Sequence, residues 1–87
     1  METICLDGSR LKNRDEAMEL LGQALVLPEW WGRNLDALHD CLTGLGRPIL
    51  LELCGRSELE TTSFGRGLLR VLQDSAAEAP WLELKTD

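Results

Sequence analysis

Three short apolar runs, held far apart by stretches of helical periodicity, constrain this chain more than any other feature. Ile49-Leu50-Leu51-Glu52-Leu53-Cys54 is the most continuous of them; Thr3-Ile4-Cys5-Leu6 precedes it and Trp81-Leu82-Glu83-Leu84-Lys85 follows it. Strands separated by helices pair in parallel through right-handed crossovers. The expected fold is therefore α/β: a three-stranded parallel sheet with the 49–54 strand in the middle and helices packed against it. The continuous run reads as a strand covered on both faces. The alternating run at 81–85 reads as a half-buried edge strand.

The connecting segments carry helix signals. Asn13 with Glu16 makes a capping-box-like start, Asn standing in for Ser or Thr. Ala17, Leu20, Leu21, Ala24 and Leu25 then form an apolar stripe, with Asp15, Glu16 and Glu19 turned to water. After Gly55, Ser57 and Glu60 read as a capping box opening a short helix, which Thr61-Thr62-Ser63 interrupts. A longer helix is expected from Phe64 to Ala77, with Phe64, Leu68, Val71 and Leu72 inward, and Pro80 ends it. Eighty-seven residues without repeat or linker make one small domain, residues 1–87. A domain of that size buries somewhat more than roughly 60% of its extended-chain surface.

Residues 27–44 hold the densest pattern. Pro28 and Gly32 bracket a turn, Asn34 is a good N-cap, and Gly44 stops the helix that follows. Leu35, Leu38 and Leu42 recur at core-facing spacing, while Asp36, His39, Asp40 and Thr43 form the opposite, exposed stripe. Asp40 lies towards the negative end of the helix dipole, where a carboxylate costs about 0.3–1 kcal/mol. It also stands one turn from Asp36, a like-charge pair costing about 0.2–0.5 kcal/mol. Folding gives no reason for that placement, and a cationic partner does. Asp74 and Glu78 repeat the pattern near the end of the last long helix, although Arg70 can pair with Asp74. Adjacent aromatics before a helix usually anchor a core. Beside the acidic stripe, one of Trp30 and Trp31 is expected to remain exposed.

Fifteen acids against nine Lys plus Arg give a net charge of −6. That balance disfavours nucleic-acid binding, which needs positive charge against phosphate, and suits steering towards a basic protein. The opening residues carry no leader pattern, because Glu2 and Asp7 interrupt the apolar run, and no segment is long enough to span a bilayer. Cys5, Cys41 and Cys54 are odd in number, set among apolar residues and without metal-ligand spacing, so three buried, reduced thiols in a cytoplasmic protein are expected. One His, no paired nucleophile and no phosphate loop speak against an enzyme, a metal site or a cofactor.

The run Leu27-Pro28-Glu29-Trp30-Trp31-Gly32, then Asn34-Leu35-Asp36-Ala37-Leu38, then Asp40-Cys41-Leu42-Thr43-Gly44 resembles the barstar family, intracellular inhibitors of barnase-type ribonucleases. The match is dense over 27–44, and element order and length fit the rest. The resemblance implies the same sheet architecture. It also implies a function: blocking the cationic active site of a cognate ribonuclease with an acidic helix, as an immunity protein in a bacterial cytoplasm. The partner-binding residues it implies are Trp30, Asn34, Leu35, Asp36, His39, Asp40, Thr43, Gly44 and Asp74. Asp40 would fill the phosphate position, and Asp36 and Asp74 would extend the acidic patch. Trp30 matches a tyrosine of the family; His39 replaces a tryptophan and Leu45 another aromatic. The free chain is expected to be a monomer. The rival reading is an interaction module, or an immunity protein against a toxin that is not a ribonuclease, using the same face. A weaker third is a cation-binding regulatory domain built on the same carboxylates.

Overall fold

The computed structural model describes residues 2–87. Strands β1 (Glu2–Asp7), β2 (Ile49–Cys54) and β3 (Leu82–Thr86) form a parallel sheet in the order β1-β2-β3. Ile4 pairs with Leu51 and Leu51 with Leu84, so the apolar residues of the three strands fall in register on one face. The β1–β2 crossover carries α1 (Arg14–Ala24) and α2 (Leu35–Gly44); the β2–β3 crossover carries α3 (Arg56–Leu59) and α4 (Ser63–Glu78). A single 3-10 turn, Gly8–Arg10, leads out of β1.

The strand order decides which face is covered. Both crossovers step across the sheet in the same direction, and right-handed connections that keep one direction lay their helices on one face. Ile49, Leu51 and Leu53 are accordingly buried while Leu50 and Glu52 are half-buried and Cys54 is exposed. The expectation that β2 is covered on both faces is thus corrected. The expected burial of the thiols falls with it: Cys5 and Cys54 are exposed on the open face and Cys41 is half-buried, all three as free thiols.

The core lies between the sheet and the helices. Ala17, Met18, Leu21 and Leu25 come from α1 and its end, Leu38 and Leu42 from α2, and Leu68, Leu69 and Leu72 from α4. Met18 and Leu69 widen the stripes read from periodicity, whereas Leu20, Ala24, Phe64 and Val71 are only half-buried. For α4 the cause is that the helix packs against both α2 and β3, which broadens its buried face.

The caps differ in detail from the sequence expectation. Asn13 Oδ1 accepts from the backbone N–H of Asp15 (2.9 Å) and Glu16 (3.2 Å), but the Glu16 side chain turns to Arg10, so the reciprocal half of the capping box is missing. Ser57 caps nothing. Helix α3 starts two residues earlier than that capping box places it, with Gly55 at φ 76° as its N-cap, and Asp87 accepts from Gly55 N–H (2.9 Å) and Arg56 N–H (3.0 Å). Those backbone donors hold the Asp87 carboxyl below the usual carboxylate range. Helix α4 begins at Ser63, with Thr62 Oγ1 accepting from Gly65 N–H (2.9 Å). Trp81 stays just outside β3. No helix among the described residues is long and apolar enough to cross a membrane.

Candidate functional site

The turn before α2 is built by backbone geometry that few residues tolerate. Gly32 has φ 94° and Arg33 has φ 48°, and a Cβ on Gly32 would stand 2.9 Å from the Cβ of Ala37. The turn is tied back to α1 by Arg33 and Glu19 at 3.5 Å. It separates the two tryptophans: Trp31 is 6% exposed and belongs to the core, whereas Trp30 is 84% exposed. Gly22 on α1 makes room for the buried ring, since a Cβ there would lie 3.1 Å from Trp31 Nε1.

Asn34 then opens the helix. Its Oδ1 accepts from Ala37 N–H at 2.7 Å and its Nδ2 donates to the Gly32 carbonyl at 3.2 Å, so one side chain fixes both the turn and the first helical turn. Leu38 and Leu42 are fully buried and Leu35 is half-buried. Asp36 and Asp40 therefore project to solvent, and the Asp40 side chain is 87% exposed. Thr43 Oγ1 donates to the carbonyls of His39 (2.9 Å) and Asp40 (3.3 Å), a bond back into its own helix.

The helix end corrects one sequence reading. Gly44 does not stop α2; it is the last helical residue, Leu45 keeps helical dihedrals, and the left-handed turn falls at Gly46, φ 67°. Asp40 is thus a full turn from the end, where the dipole acts weakly. What remains unexplained by folding is the like-charged pair Asp36 and Asp40 on one exposed face.

Helix α4 packs beside α2 and adds the rest of the surface. Asp74 pairs with Arg70 at 3.8 Å, both largely exposed. Glu78 reaches across to α2: its Oε2 lies 2.5 Å from His39 Nε2, while His39 Nδ1 lies 3.8 Å from Asp40 Oδ1. A shallow hollow at the start of α2 is lined by Arg14, Asn34, Leu35, Asp36 and Phe64. The places of Arg14 and Phe64 at that rim, and the Glu78 to His39 link, carry no sequence signal, because they join residues brought together only by packing. Cys41 is a poor nucleophile, as burial first and then the Asp40 charge push its thiol up. Among the described residues no three His, Cys, Asp or Glu side chains converge as a metal site would need.

The family profile described as Barstar (barnase inhibitor) matches residues 1–85. The chain belongs to the barstar family. A curated relative from Bacillus subtilis (strain 168), named "Putative ribonuclease inhibitor YrdF", is 37% identical over 82 residues, covering 90% of this chain and 89% of that protein. Barstar-family proteins are inhibitors and not enzymes, and the three-stranded parallel sheet with its helices is the barstar-like fold. Within that fold α2 presents Asp36, His39, Asp40 and Thr43 on one outward face, with Trp30 before it and Gly44 at its end.

Proposed function

We propose that this chain inhibits a cognate ribonuclease by filling its cationic active site with α2. Membership of the barstar family and the name of the Bacillus relative support a ribonuclease as the target. The observation that carries the mechanism is Asp40: an exposed carboxylate on a helix anchored by Leu38 and Leu42, with His39 as the one ionic neighbour among the described residues. A site that holds phosphate needs Arg, Lys and His in a cleft. Asp40 in the phosphate position accepts charge-assisted hydrogen bonds from those groups.

Asp36 and Asp74 extend the negative surface and speed encounter. Trp30 packs on the cleft rim, as exposed aromatic anchors do in protein interfaces. Leu35 and His39 fill space beside Asp40, and Asn34, Thr43 and the Gly44 backbone form the polar edge. The dominance of one aspartate at such an interface is known from barstar itself, and Asp40 is the residue proposed for that part here. The role is immunity: one domain over residues 1–87, monomeric when free, silencing a ribonuclease toxin in a bacterial cytoplasm without metal, cofactor, membrane or nucleic acid.

The test follows RNA cleavage by a purified barnase-type ribonuclease while the chain is titrated in. Suppression near one equivalent is expected, and it is lost with Asp40→Ala. The chain alone should not cleave RNA with or without divalent ions. Metal-dependent cleavage by the chain that vanishes on changing Asp36 or His39 overturns the reading.

A further inference from the structure

We infer that His39 couples partner binding to a proton, holding Glu78 in place on the acidic face and competing with the partner's cations for the same carboxylates; the inference rests on the ribonuclease-inhibitor reading. His39 is the chain's one histidine, the side-chain type that changes charge between pH 5 and 8. It stands in the middle of the exposed stripe, about a third exposed, where an inhibitor's helix face would meet a cationic cleft.

The two charged groups in contact with it are both carboxylates. On its own helix Asp40 lies 3.8 Å away and Asp36 one turn back; from α4, the helix packed against it, Glu78 makes the 2.5 Å contact. Asp74 lies one turn before Glu78, and its charge is shared with Arg70 at 3.8 Å. A proton on His39 therefore puts a cation among carboxylates and cancels part of the charge that the partner reads. The reverse follows by linkage: when Arg and Lys of a partner arrive against Asp36 and Asp40, the protonated ring becomes the disfavoured form and its proton leaves.

Binding then releases up to one proton at this position, and affinity rises with pH. His39 is a positioning residue in this scheme, since Nε2 fixes the Glu78 carboxylate beside α2 and the proton acts through the carboxylates. The partner's own titrating groups add a pH dependence of their own. The readout is therefore the difference between variants and not the slope of one protein.

The experiment measures Kd for a catalytically inactivated barnase-type ribonuclease at pH 5.5, 6.5 and 7.5, using the full chain, His39→Gln and Glu78→Gln. Glutamine at 39 keeps a side-chain donor and cannot take up a proton. The expected result is that wild-type affinity gains on the order of 3- to 10-fold more than that of His39→Gln between the lowest and highest pH, with a smaller excess in Glu78→Gln. Equal pH slopes for wild type and both variants overturn the inference and leave the inhibitor reading standing. No binding by the wild type at any of the three pH values overturns the inhibitor reading and the inference with it.

Discussion

Trp81 donates its indole N–H to the carbonyl of Leu42 at 3.3 Å, tying the last turn of α2 to the residue that leads into β3. The final carbonyls of a helix have no partner within it, and one supplied from elsewhere in the fold both satisfies a half-buried acceptor and fixes the helix end. Asn34 does the same at the other end through Ala37 N–H. The acidic helix is thus held at both termini and by the buried Leu38 and Leu42 between them. Asp40 projects from an element whose position the fold itself sets, and on the proposed reading that lowers the ordering cost of binding.

Asp40→Ala should separate binding from folding. Truncating one partner of a buried charge pair costs about 2–5 kcal/mol, so affinity for the ribonuclease should fall by that order. The free protein should be unchanged or gain a few tenths of a kcal/mol, about the size of the relieved like-charge pair with Asp36. Asp74→Ala should act more mildly, mainly on the association rate and its salt dependence. Denaturant melts of the free variants and titrations at two salt concentrations make the comparison. An Asp40→Ala protein that binds normally and folds poorly would assign the acidic stripe to structure.

The two helix anchors should register in stability. Asn34→Ala removes the N-cap acceptor and should cost about 1 kcal/mol. Trp81→Phe keeps most of the ring and removes the donor to Leu42, for a similar loss of about 0.5–1.5 kcal/mol. Urea melts measure both, and amide exchange at the two ends of α2 should quicken in the matching variant. Unchanged melts would show that packing alone holds the helix.

Thiol reactivity should follow the open sheet face. Under native conditions Cys5 and Cys54 should react promptly with a thiol reagent, while Cys41 lags because burial and the neighbouring Asp40 raise its thiol. Three equivalents should appear on denaturation. Peptide mapping after a short native exposure identifies the sites, and uniform protection of all three would contradict a sheet covered on one side.

Asp87 should contribute an acid-sensitive element of stability. Its carboxyl is held below the usual range by the Gly55 and Arg56 backbone donors, so the folded value lies under the unfolded one. A depressed carboxylate stabilises the fold above its unfolded value, and that contribution disappears as pH falls through the folded one. Wild type should therefore be more stable than Asp87→Ala at neutral pH, with the gap closing in strongly acidic solution. A gap that persists unchanged below the carboxylate range would place the effect in packing.

Much of the local structure of the candidate site was legible in the sequence, because it rests on near neighbours. The N-cap at Asn34, the stripe of Asp36, His39, Asp40 and Thr43, and the separation of an exposed from a buried tryptophan rest on spacings of one to seven residues and on backbone chemistry. Helices between apolar runs likewise determined a parallel sheet with 49–54 at its centre. The sequence alone could not say which faces those elements leave open. An apolar run such as Ile49–Cys54 reads the same whether one or both of its faces are covered, and only the strand order β1-β2-β3, with both crossovers on one side, uncovered Cys5 and Cys54. Tertiary packing also decided every pairing between distant residues: Glu78 with His39, Trp81 with Leu42, and Asp87 with the start of α3. Such pairs leave no periodicity to read, since their geometry arises from the meeting of elements and not from the order of residues within one.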